Sequence, residues 1–209
     1  MRRGTFVVVE GIYGSGRLLV QLVDRLRAAL VAGGSEVVEF DSPDSGRARL
    51  MGAGELDASW RYGRFMPDFF FELASRARVC SVADEALTRG KVVLCKSFTL
   101  SSVVSARLQG HDWRGEQLDA LEARARRLPS GGALAPDLTL FVDVAPPIAV
   151  AELGPRLAPP FTQGDIGRQR QLYLEEIGAP PAPGVSVLAG DLDEEALVAG
   201  ALAAIRAVR

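Results

Sequence analysis

The sequence predicts an α/β fold in three layers, a doubly wound parallel sheet with helices on both faces, formed by a single domain over residues 1–209. Three observations predict it. Short apolar, β-branched runs recur without polar alternation, as strands buried on both faces require. Each run is followed by apolar residues at helical spacing. No two runs are joined by a tight two-residue turn, so the connections are crossovers rather than hairpins.

Phe6 to Val9 is the first strand, and it runs into the glycine loop Gly11-Ile12-Tyr13-Gly14-Ser15-Gly16. Leu18, Leu19, Leu22, Val23, Leu26 and Leu30 then trace one helical face, which Gly33-Gly34 ends. Glu36 to Phe40 reads as a second strand and D-S-P-D-S-G as the loop after it, with residues 44–67 glycine-rich and irregular. Phe69 to Arg89 reads as a helix closed by Gly90, and K-V-V-L-C (91–95) as a third strand. Helices are predicted over 99–109 and 115–128, the second stopped by Pro129. L-T-L-F-V-D-V (138–144) is a fourth strand, and the helix after it has Pro146 and Pro147 in its first turn, where a missing N–H costs nothing. A proline-rich loop over 154–164 leads to a helix over 166–177, a last strand V-S-V-L-A and a terminal helix over 193–208. Ligands of such sheets bind beyond the carboxyl ends of the strands. Here those ends carry the glycine loop, D-S-P-D, K-S-F and D-V-A.

Composition narrows the classes. A net charge of −2 argues against a dedicated nucleic-acid binder, which carries a basic excess. Cys80 and Cys95 are too few for a disulfide framework and lack metal-ligand spacing, so they read as buried thiols of a reducing compartment. His111 is the one histidine, which leaves no histidine cluster or His-based triad and reads as a surface loop residue. No segment has the apolar length of a membrane span, and the expectation is a cytoplasmic protein with no membrane partner. The basic run E-A-R-A-R-R-L (122–128) reads as a solvated helix end or, less simply, a partner patch.

The glycine loop carries the chemistry. Gly11, Gly14 and Gly16 let backbone N–H groups close around a phosphate at a helix N-terminus. The pattern G-x-x-x-x-G-K-[ST] asks for a lysine and a magnesium-binding hydroxyl next. Arg17 and Leu18 stand there. Arginine keeps the charge in a bulkier planar form. Leucine has no ligand atom for a metal.

End to end, the chain resembles the thymidylate kinase family, P-loop enzymes that move a phosphoryl group from ATP to dTMP. The resemblance rests on F-V-V-V-E-G-I-Y-G-S-G-R, F-E-L-A-S-R-A-R-V-C-S-V-A-D-E-A-L-T-R-G, K-V-V-L-C-K-S-F-T-L-S-S, P-D-L-T-L-F-V-D-V and G-R-Q-R-Q-L-Y-L-E-E. It implies a P-loop kinase fold with a shortened lid near 154–164, a homodimer paired through helices, and ATP with Mg2+ if transfer chemistry survives. It also implies a phosphate- and nucleotide-binding set of Gly11, Tyr13, Gly14, Ser15, Gly16, Arg17, Leu18, Phe71, Arg76, Ser101 and Gln109, with Arg17 and Lys96 as catalytic candidates and no metal ligand assigned. Tyr13 takes the place of an acid near the acceptor sugar. Lys96 and Ser97 replace an Asp-Arg pair that serves metal and phosphate, and of the lid's arginines only Arg156 remains, with Pro160 ahead of Phe161.

Plainer roles are open for several of these. Phe69 to Phe71 suit a helix core, Arg76 a solvated face, Ser101 and Ser102 a helix start, and Asp143 a helix cap as well as a metal-side acid. Three readings follow. In the first the chain is a divergent thymidylate-kinase-like protein without the standard ATP-dependent phosphorylation of dTMP, binding a nucleotide or phosphate-containing ligand in the old cleft. In the second it is an active nucleoside monophosphate kinase with Arg17 or Lys96 on phosphate. In the third it is a non-catalytic interaction or scaffold paralogue.

Overall fold

A computed structural model describes residues 3–40, 65–153 and 163–209 of the chain. The irregular stretch expected over 44–67 lies largely outside those residues, as do the D-S-P-D-S-G loop and most of the expected lid with Arg156, Pro160 and Phe161. Five parallel strands form one sheet: β1 (Thr5–Gly11), β2 (Val37–Phe40), β3 (Val92–Lys96), β4 (Leu138–Asp143) and β5 (Val185–Ala189). Their order is β2-β3-β1-β4-β5, so the first strand is the central one. Seven helices accompany them among the described residues: α1 (Gly16–Ala32), α2 (Phe65–Thr88), α3 (Thr99–Leu108), α4 (Leu118–Ala125), α5 (Pro146–Leu153), α6 (Gln163–Ile177) and α7 (Glu194–Val208).

The apolar runs became strands because both of their faces are covered. Val7 and Val9 turn toward Leu22 and Leu26 of α1 and Ile205 of α7. Phe6 and Val8 turn toward Cys80, Ala83 and Leu87 of α2. The predicted three layers and the α/β class are the observed ones. Helix α4 is shorter than the 115–128 expected. Asp112 accepts N–H bonds from Arg114 and Gly115, and Gln117 takes a left-handed φ of 57°, so the chain turns before Leu118. At the other end Arg127 leaves the helix to bridge Ala133.

Register decides what meets at the carboxyl edge. Val9 pairs with Lys96 of β3, and Gly11 pairs with Val142 of β4. The glycine loop therefore opens directly between the ends of β3 and β4. The turn after β3 is tight, with Ser97 at a φ of 59°. It is held from below by Glu10, whose carboxylate accepts the Phe98 N–H at 2.8 Å. Ser97 N–H donates to the Val9 carbonyl at 2.9 Å, tying the turn to the central strand.

Candidate functional site

The loop itself is built by two glycine constraints. Gly14 has a φ of 95°, and a Cβ there would sit 2.4 Å from the Ala149 carbonyl oxygen, so only glycine suits this approach of α5. At Gly11 a Cβ would sit 2.5 Å from Ser15 Oγ. Ser15 is buried, with its hydroxyl and its N–H both bonded to the Ile12 carbonyl, which closes the loop onto α1. The Tyr13 N–H donates to Gln169 Oε1 of α6 at 2.7 Å.

A cleft of about 640 Å³ opens above the loop, lined from one side by the loop, Arg17 and Glu152, and from the other by Glu72, Arg76, Lys96, Ser97, Ser101 and Ser105. Of the residues singled out from the sequence, Gly11, Tyr13, Gly14, Ser15, Gly16, Arg17, Arg76, Lys96 and Ser101 meet here. Leu18, Phe71 and Gln109 are not among the lining residues. Leu18 packs against the core, and Gln109 is exposed with its amide on Ser105 Oγ. Glu72, Gln169, Glu152 and Tyr173 line the cleft without having been singled out. For Glu72 the signal was available, since it stands four residues before Arg76 and so shares its helix face. Gln169 and Tyr173 come from 150 or more residues along the chain, and no spacing rule reaches that far.

The charges of the cleft are paired. Arg17 Nη1 lies 3.8 Å from Glu152 Oε2, both well exposed, a pair that water screens heavily. Lys96 Nζ lies 3.7 Å from Glu39 Oε1. Arg76, only 2% exposed, donates to Glu122 Oε2, to the Phe98 carbonyl at 2.8 Å and to Ser102 Oγ at 3.1 Å, with its guanidinium 5.1 Å from the Phe98 ring centre. Glu122, 1% exposed, takes a further bond from Thr99 Oγ1 at 2.9 Å. Arg76 thus joins α2, α4 and the β3–α3 turn through a buried ion pair, and removing either member would strand the other.

Two acids at strand ends are likewise engaged. Asp143 accepts two bonds from Arg170, at 2.6 and 2.8 Å, which in turn raise the Arg170 pKa. Glu10 is fully buried, and burial pushes its carboxyl up to about 7 against the opposing pull of the Phe98 N–H and of Arg76. Its second oxygen accepts from Tyr173 O–H at 3.4 Å, and Tyr173 stacks on Phe141. For a divalent cation the donor set does not fit: Leu18 has no ligand atom, Asp143 is clamped by Arg170, and Glu10 is bonded inside the core. No group of three acids, cysteines or histidines is placed to hold a metal among the described residues. With the Tyr13 and Ser15 N–H groups taken by Gln169 and the Ile12 carbonyl, it is the first turn of α1 whose N–H groups still suit an anion. No described helix is long and apolar enough to cross a membrane.

Comparison with known proteins adds a second line of observation. No protein-family model matches the chain. It is 33% identical over 187 residues to the thymidylate kinase of Burkholderia vietnamiensis, covering 87% of each chain. It is 31% identical over 177 residues to that of Solidesulfovibrio magneticus, covering 81% of this chain and 78% of the other. The thymidylate kinase of Desulfovibrio desulfuricans is 36% identical over 141 residues, 66% of this chain and 61% of that one.

Proposed function

The chain belongs to the thymidylate kinase family, and we propose that it keeps the family's cleft as a binding site for a nucleotide or other phosphate-bearing ligand without the standard transfer from ATP to dTMP. The observation that carries this is the lack, among the described residues, of a place for a divalent cation, with Leu18 where a hydroxyl would stand and Asp143 clamped by Arg170. Arg17 and Lys96 keep their charges at the cleft in loose pairs, with Glu152 at 3.8 Å and Glu39 at 3.7 Å. Positioned charge supplies most of what a protein contributes to phosphoryl transfer. Losing one such donor costs roughly a hundredfold or more in rate, and Leu18 removes the hydroxyl besides. What remains is the backbone cradle, which binds anions without any side chain.

The test is transfer from ATP to dTMP with magnesium on the purified chain, beside an ordinary thymidylate kinase. We expect turnover at least about a thousandfold below the control, together with stabilisation of the protein by ADP in a thermal melt. Turnover within about a hundredfold of the control overturns the reading and assigns phosphate handling to Arg17 and Lys96. A melt unmoved by nucleotides and by inorganic phosphate, with no transfer, points instead to a protein that works through its surfaces.

A further inference from the structure

Gln169 brings to the cleft two donors that no described residue uses. It lines the cleft from α6, half-buried, and its Oε1 accepts the Tyr13 N–H at 2.7 Å. A backbone N–H can only donate, so the oxygen end of the amide faces Tyr13 and the nitrogen end is turned aside from it. That Nε2 carries two N–H groups and has no hydrogen-bond partner among the described residues. Nor is it shut away from solvent, since the buried side-chain nitrogen without a partner among those residues is Arg126 Nε. The loop thus spends one backbone donor on Gln169 and receives two side-chain donors in exchange.

The amide is held where it stands. Arg170, the next residue, makes two bonds to Asp143 at the end of β4. Tyr173, one turn further along α6, reaches Glu10 at the end of β1 and stacks on Phe141. With α6 fixed to these two paired strands, Gln169 offers its donors from a position that costs a ligand little ordering to use. Its surroundings at the loop favour acceptor oxygens as well. The first turn of α1 presents N–H groups, and Arg17 on that turn keeps its charge in a loose pair with Glu152. A phosphate, with negative charge and only acceptor oxygens, suits such a setting.

We propose that Gln169 is a ligand-binding residue whose Nε2 donates to a phosphate oxygen beside the glycine loop, aimed there by the Tyr13 N–H that its Oε1 accepts. This rests on reading the cleft as a site for a phosphate-bearing ligand, and it names a contact for that ligand outside the loop. The donor is neutral, so its strength depends on orientation, and the Tyr13 bond supplies the orientation.

Calorimetry with ADP and with inorganic pyrophosphate tests this on the full native chain and on the variants Gln169→Met and Gln169→Glu. Methionine matches the length without a donor, and glutamate keeps an acceptor for Tyr13 but has no donor at neutral pH. Heteronuclear NMR of the native chain adds the side-chain amide signals of Gln169, identified by their absence from Gln169→Met. The expected result is that each folded variant binds both ligands about tenfold or more weakly. The Gln169 amide signals should also be displaced when the native chain is saturated with either ligand. Native binding of ADP, with Gln169→Met within about threefold of it, overturns the proposal and leaves the reading of the cleft intact. So do weakened affinities with amide signals that the ligands do not move, because Gln169 would then serve only to hold the loop. A loss confined to ADP, with pyrophosphate unchanged, puts the amide on the nucleoside and overturns the phosphate contact. Binding of neither ligand by the native chain overturns this proposal together with the reading it rests on.

Discussion

Glu10 ends the central strand with no surface exposed to water and a bond on each oxygen. Burial disfavours its ionised form, so the folded protein holds this proton up to a pH of about 7 where the unfolded chain releases it near 4.5. Between those values the native state binds more protons than the unfolded state, and stability falls as pH rises through that window. The full shift corresponds to about 3 kcal/mol, with the pull of the Phe98 N–H, Arg76 and Tyr173 toward the charged form already contained in it. Glu10→Gln keeps an acceptor for Phe98 and removes the charge. Denaturant unfolding should show the variant more stable than the native chain by roughly 1–3 kcal/mol at pH 8, with the difference shrinking toward zero at pH 5. An equal difference at both pH values would mean that Glu10 acts by shape alone. The acid itself was visible in the sequence as the last residue before the loop. Its burial was not, because that depends on Tyr173 arriving from α6. Arg76 was visible in the same way as one of several arginines, and the carboxylate that captures it lies 46 residues further on, in a run that reads as a solvated helix end.

At the scale of the element, the loop-to-α1 junction separates what glycine does by necessity from what it does by habit. Gly14 combines a φ of 95° with the backbone of Ala149 where a side chain would go. Gly14→Ala should therefore destabilise the protein by about 2 kcal/mol or more and weaken ADP binding in the same variant. Gly16, which opens α1, has nothing within 4 Å of a built Cβ. Gly16→Ala should leave stability within about 0.5 kcal/mol of the native value by thermal or denaturant melting. Strong destabilisation by both, or by neither, would break this account. The elements were largely readable from the chain. All five strands sit where β-branched apolar runs predicted them, because burial on both faces leaves a continuous apolar signature. The helices followed from period with shifted ends: α2 and α6 start at Phe65 and Gln163, ahead of the expected 69 and 166, and α4 is shorter because an Asp112 turn and a left-handed Gln117 are local choices that periodicity does not register. The cradle was legible from its glycines. The ion pairs that line it were not, for they join elements the chain order keeps apart.

Across the whole molecule the order β2-β3-β1-β4-β5 sets a gradient of protection. Six of the seven residues of β1 are buried, whereas β2 is half-buried throughout and β5 has one buried position. Amide hydrogen exchange should be slowest in β1, governed by global unfolding, and faster in β2 and β5, which sit at the two edges. Equal protection of β1 and β2 would contradict that gradient. The same order has a consequence for how the chain is made. Thr5 pairs with Val92, and Val7 with Leu138, so the central strand is made well before either of the strands that flank it. Neither edge of the Phe6 to Val9 run has its neighbour until Val92 is made, and one edge stays open until Leu138 is made. Exposure of the growing chain is therefore most prolonged at the very segment that will become the least accessible.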